Sequence, residues 1–288
     1  MIEGRREISF SERDPMLDAQ IDRHYYAALD SISEFEVDMN LEQFKELYGE
    51  LAIKSDLKYV KDMEEKFSQD SSPIRDRYKK LATIFESIVD QQIELNDWLG
   101  EGVYTVKTSK YDDIRNGVDT VLEFERDEGT THMALAVDVT FSKDLSKKIK
   151  RIQQDIETGR LTQVKYYESA DMSFHGKLTD VPRIIIGADL DRIKDLMDLN
   201  ESDKNVGKEM KFHPARLQFI VMLQMQLESF RDYATKVGQR SVEKIYQKHL
   251  DIINGYMEEE GLEMLGRILD GDKVYLELKK QLDKLREE

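Results

Sequence analysis

The segment GVDTVLEFERDEGTTHMALAVDVTFS, residues 117–142, decides how the rest of the chain is read. Both halves alternate apolar with polar residues and are rich in β-formers, and Asp127-Glu128-Gly129-Thr130 between them has turn composition. The pattern predicts a β-hairpin with strands over 118–126 and 132–142. With Glu128 and Gly129 at the tip, Asp119 lies opposite Asp138. One face then carries Asp119, Val121, Glu123 and Glu125 against Thr140, Asp138, Ala136 and His132. The other carries Leu122, Phe124, Met133, Leu135, Val137, Val139 and Phe141, and reads as the core side. Directly opposed residues stand about 4.5–5.5 Å apart, where like charges destabilise. Two facing aspartates therefore need a cause: a shared divalent cation, screening by solvent, or a shifted register.

Outward from the hairpin, residues 103–108 alternate as a short strand. Lys143 to Thr158 form an amphipathic helix with Leu145, Ile149, Ile152 and Ile156 on one face and Gly159 after it. Strands follow at 161–168 and, as RIIIGA, at 183–188. Strand, helix and strand at this spacing form a parallel crossover, so the expected fold class is α/β, a mixed sheet over 72–190. Residues 1–71 read as a helical region, with Asp14-Pro15 as a start signal and further helices over 40–53 and 56–67. Ser72-Pro73 opens a long helix ending at Gly100 and Gly102. Residues 191–288 return to helix, and the charged stretch from 273 onward reads as a solvated or fraying end. Ile2-Glu3-Gly4-Arg5 has the form of a protease recognition site and is left outside the fold argument.

The 288 residues contain no cysteine and carry a formal net charge of −16. Disulfides, thiolate metal sites and cysteine nucleophiles are excluded, and a reducing cytoplasm is the expected setting. Net acidity argues against a general nucleic-acid coat protein, which needs clustered Lys and Arg. It leaves room for one local basic patch, and Lys143, Lys147, Lys148, Lys150 and Arg151 are the candidates for nucleic-acid contacts. No apolar run approaches the roughly 20 residues of a membrane span. The five histidines lack ligand spacing, and nucleotide-binding glycine motifs are missing. Glu86, Asp90 and Glu94 form an acidic stripe expected to face solvent, and Trp98 is expected in the core.

GVDTVLEFE followed by ALAVDVTFS resembles the PD-(D/E)XK nuclease superfamily. That family places a Gly-x-Asp at the start of one strand, then an acid, one residue and a lysine on the next. The order helix, three antiparallel strands, helix, strand is similar too, over residues 72–168. The resemblance implies a restriction-endonuclease-like core flanked by helical regions and a Mg²⁺-dependent nuclease acting on DNA or RNA. Asp119 and Asp138 take the two metal-ligand positions, and Glu123 is a further candidate for the metal shell. Thr140 departs from the pattern, standing where the family has its lysine. Lys165 on the strand over 161–168 is the first substitute, Lys147 and Lys148 the next. The rival expectation is a non-catalytic protein of the same fold that binds a partner or nucleic acid.

Overall fold

A computed structural model describes residues 15–35, 41–69, 72–126, 129–138, 143–200, 206–260 and 271–287. Helix α1 (Pro15–Phe35) packs on α4 (Pro73–Asn96) through Leu17, Ile21, Ala28, Leu81, Ile84 and Ile88. As expected, Pro15 and Pro73 open their helices, and Ser72 caps α4 by accepting the Arg75 N–H at 3.3 Å. The helix expected over 40–53 is broken. A 3₁₀ turn (Leu41–Phe44) and α2 (Lys45–Tyr48) end at Gly49, whose φ of 78° no helix accommodates, and α3 (Glu50–Gln69) absorbs the predicted third helix.

Strand β1 (Val103–Lys107) is followed by the short α5 (Lys110–Asn116), then β2 (Thr120–Arg126), β3 (Gly129–Asp138) and α6 (Lys143–Thr158). Next come β4 (Thr162–Glu168), β5 (His175–Val181) and β6 (Arg183–Gly187). A four-stranded sheet runs β1-β2-β3-β6, antiparallel for the first three and parallel between β3 and β6. The architecture is mixed α/β, as expected. The crossover partner differs: β4 pairs with β5 in a separate antiparallel sheet, and β6 closes the crossover. Burial explains the choice. All five residues of β6 are buried, whereas β4 mixes buried, half-buried and exposed positions.

The outer edge of β6 is finished by a helix. In α9 (Pro214–Lys236) the Gln226 amide donates to the Ile185 carbonyl and accepts the Ile185 N–H, at 2.7 and 2.9 Å. Gln218 donates to the Gly187 carbonyl at 3.2 Å. These glutamines imitate a neighbouring strand, which accounts for their burial in an otherwise apolar helix face. Helix α9 begins at His213, whose Nδ1 accepts the Ala215 N–H. Helices α7 (Leu190–Asn200), α8 (Val206–Lys211), α10 (Arg240–Glu259) and α11 (Lys273–Glu287) complete the chain. Contrary to the expected solvated end, α11 buries Val274, Tyr275, Leu278, Leu282 and Leu285. One apolar cluster runs through α1, α4, the sheet, α6 and α7 to α11, with Trp98 fully buried inside it. The three regions read from sequence share this core.

Candidate functional site

The hairpin register decides where the aspartates stand. Arg126 pairs with Gly129 and Thr120 with Leu135, a shift of two residues from the expected pairing. Gly129 has the positive φ that marked it as a turn residue, 117°, but it belongs to the first rung of the ladder. A two-residue shift preserves the faces and moves the partners. Continuing the ladder by one step sets Asp119 level with Ala136, and Asp138 two residues beyond, beside Gly187 of β6. Direct opposition of the two aspartates is thus corrected to diagonal neighbourhood at one end of the sheet, a separation of about 7–8 Å between strand positions. Thr140 lies outside the described residues, as do the side chains of Asp138 and Lys143.

Asp119 is positioned by the short helix before it. Ser109 caps α5 by accepting the Asp112 N–H, and Gly117 ends it with φ 65° and an N–H bonded to the Asp113 carbonyl. Fully buried Asp112 ties the helix to β4, accepting the N–H groups of Lys165 and Tyr166 at 2.7 and 3.0 Å and the Asn116 amide at 2.7 Å. Val118 then enters a small core with Val121, Val164, Tyr167 and Val181. The chain leaves α5 in one direction, and Asp119 opens β2 from an anchored base.

Acidic groups gather here. Asp113 shares a hydrogen bond with Asp119; burial, then the Asp119 charge, pushes the Asp113 carboxyl up to about 8. More than a third of the Asp113 surface is nonetheless open, so solvent screening reduces what that shift means for stability. On α4, Glu86 and Asp90 converge on Lys107 of β1. The Lys107 Nζ lies 2.5 Å from Glu86 Oε1, bonds Asp90, and reaches Thr120 Oγ1 at 3.3 Å. Burial raises Asp90 and carries Glu86 to about 7, with Lys107 pulling both back. Burial works against the Lys107 charge, but the two carboxylates prevail and its pKa is raised. The acidic stripe expected in solvent is therefore an ion cluster between helix and sheet. Glu94, its third member, accepts the Thr105 N–H and hydroxyl at 2.6 and 2.9 Å. The sequence signal that could have revealed this is Lys107 at the end of a predicted strand next to a helix with acids four residues apart.

Glu86 also dictates a pH dependence. A carboxyl whose folded pKa is raised contributes stability that is complete below its unfolded value near 4.5 and fades as pH climbs through 7. Glu86→Gln should thus flatten the decline of Tm between pH 5 and 8, with a difference on the order of 2 kcal/mol. Parallel Tm curves for the two proteins across that range would contradict it.

Beside Asp119 is a cavity of about 180 Å³ lined by Asp113, Gly117, Asp119, Lys148, Arg151, Ile152, Arg183 and Ile185. The basic run on α6 divides over it. Lys148 and Arg151, with Asp155 one turn on, flank the buried Ile149 and Ile152 and line or border the cavity; Lys147 and Lys150 are exposed. Arg183, 5% exposed, donates to the Asn116 carbonyl and to Asp155, each at 2.6 Å, and Arg151 donates to the Arg115 carbonyl at 3.0 Å.

Two expected site residues lie elsewhere. Lys165 does not line the Asp119 cavity. Its ammonium is bonded to Asp56 of α3 and sits 5.0, 5.3 and 5.0 Å from the rings of Tyr48, Tyr111 and Tyr166, a cation–π cage that docks the N-terminal helices on β4. Glu123 stands four residues along β2 from Asp119 and is 2% exposed. It accepts the Ala170 N–H at 3.1 Å and faces His132 at 3.8 Å, outside the cavity. Burial raises Glu123 and lowers His132, which is half-buried where exposure was expected. Among the described residues no three His, Asp or Glu side chains converge as a metal-ligand group, and no helix is long and apolar enough to cross a membrane.

The fold and the site define a mixed α/β protein with a carboxylate–lysine cluster at one sheet end and a basic cavity alongside. No protein-family model, curated protein or solved structure matches the chain.

Proposed function

We propose that the protein is a divalent-metal-dependent phosphodiesterase of restriction-endonuclease-like type, acting on DNA or RNA in a cytoplasmic setting. The observation that carries the reading is topological. Helix α4, the antiparallel meander β1-β2-β3, helix α6 and the parallel β6 follow the order the family resemblance implies, and Asp119 and Asp138 come to the same end of β2 and β3. The Asp113–Asp119 carboxyl pair fits a hard cation, because burial and then the Asp119 charge raise the Asp113 carboxyl, and a shared ion would relieve that repulsion. Asp119 and Asp138 hold Mg²⁺ in this reading, and Glu123 is left out by its position. A bound cation supplies a lowered water pKa and charge neutralisation at the phosphate.

Lys148 takes over the work of the missing motif lysine, since it lines the same cavity as Asp119, whereas Lys165 lies outside that cavity beside Asp56. Its ammonium stabilises charge developing on the phosphate. Exposed Lys147 and Lys150 widen the positive margin of α6. A second reading, a non-catalytic binding protein of the same fold, is favoured by Thr140 at the lysine position.

Incubating the full chain with single- and double-stranded DNA and with RNA tests the proposal. Mg²⁺ or Mn²⁺ should support cleavage that EDTA stops, and Lys148→Met should slow it by about 10²-fold. Substrates that stay intact under both metals leave the binding-protein reading in its place.

A further inference from the structure

We infer that the protein binds a small neutral molecule with an aliphatic body, in the cavity between the N-terminal helices and the edge of the sheet at β1. The inference is independent of the nuclease reading, because no residue lines both this cavity and the one beside Asp119.

The first argument is the apolar wall. The space measures about 630 Å³, and small-molecule pockets run from about 300 to about 1,000 Å³. Helix α4 contributes Ser87, Asp90, Gln91 and Glu94, and residues 105–110 along the edge of the sheet form a second side. The 3₁₀ turn and α3 supply Leu41, Leu57 and Val60, and the β4–β5 connection supplies Ala170 and Met172. Leu57 and Met172 are 45% and 76% exposed, so two large apolar side chains stand open on the same cavity. Met172 is held at φ 56°, a left-handed conformation that costs energy for a residue with a side chain. Its backbone N–H donates to the Ser169 carbonyl at 2.8 Å, which closes the turn. Methionine is flexible and polarisable and adapts to varied apolar surfaces.

The second argument is that the polar part of the lining is already satisfied. Among the described residues the lining carries five charged side chains, Asp90, Glu94, Lys107, Lys110 and Glu168, and each has a protein partner. Asp90 bonds Lys107, Lys110 pairs with Glu64 at the surface, and Glu168 accepts the Gln43 amide at 3.1 Å. Glu94 is engaged by Thr105. The neutral groups follow suit: Gln91 donates to Ser31 at 2.6 Å, and Ser109 to Asp112 at 2.8 Å. An ion entering this cavity would give up hydration without meeting a free counter-charge, which is unfavourable. Apolar contact is what remains to be gained. The aliphatic character follows from Leu41, Leu57, Val60, Val106 and Met172, against the single ring of Tyr111 on the described lining.

Displacement of prodan, a neutral fluorescent probe, from the full chain tests the inference. Hexanol, octanol and decanol should displace it with affinity rising about three- to fourfold per methylene. Decylamine and decanoate should bind no tighter than decanol. Ala170→Trp, which fills the cavity from an exposed position, should weaken decanol by about tenfold or more, and Met172→Ser should weaken it several-fold. Both residues lie in an exposed connection, so the variants keep the fold, and melting curves check that they do. Absence of binding, or affinity independent of chain length, overturns the inference, as does decanol binding unchanged in both variants. A preference of about tenfold for either charged head overturns the neutral ligand, since it requires a free counter-charge in the cavity.

Discussion

Asp119→Asn should abolish Mg²⁺-dependent cleavage, by about a thousandfold or more, while the protein stays folded. The size follows from the role: a metal ion contributes several kcal/mol to the transition state, and each 1.36 kcal/mol is a factor of ten. The stability side follows from the neighbours. Asp119 shares a hydrogen bond with Asp113, and burial, then the Asp119 charge, raises the Asp113 carboxyl to about 8. An asparagine keeps the size and the hydrogen bond and removes the like charge, so above the raised Asp113 value the variant should melt at or above the temperature of the parent. Sites that hold like charges close together for function commonly gain stability when one is neutralised. The measurement is a cleavage rate together with Tm at pH 6 and 9. Retained activity removes Asp119 from the mechanism, and loss of activity with collapse of the fold makes it a structural residue only.

Lys107→Met should destabilise the fold by about 3 kcal/mol at pH 8, and by less at pH 5. Lys107 is the cation that Glu86 and Asp90 share, and their side chains are 17%, 20% and 13% exposed. Removing one partner of a largely buried ion cluster leaves the others uncompensated, which costs about 3–5 kcal/mol; the remaining exposure favours the lower end. Without the lysine both acids protonate more readily, and a carboxyl raised by burial is least costly below its unfolded pKa. The deficit should therefore grow as pH rises from 5 to 8. Chemical denaturation at the two pH values measures it, and a deficit under 1 kcal/mol at pH 8 would show that the cluster behaves as a solvated surface pair.

Local chemistry determined much of the architecture. Alternation in residues 117–142 marks two strands, and because side chains repeat every two residues, the division into faces survives a register error of two. Ser72-Pro73, Pro15 and His213-Pro214 mark helix starts through geometry that each residue carries alone. The RIIIG segment was legible as a strand, though the α9 glutamine that bonds it was not legible as its partner.

Only the tertiary structure decided which charges meet. Pairing Arg126 with Gly129 set the aspartates diagonally, a register that the alternation of the two strands leaves open. Insertion of the β4–β5 pair ahead of β6 carried Lys165 to Asp56 and its tyrosine cage, while α6 turned Lys148 and Arg151 towards Asp119. Lys107 and the acids of α4 belong to separate elements, and their spacing marks them as candidate partners without specifying the contact. Backbone propensity and side-chain alternation act between near neighbours, so one sequence contains them. Electrostatic partnership acts through space, across whichever surfaces burial of the apolar core brings together.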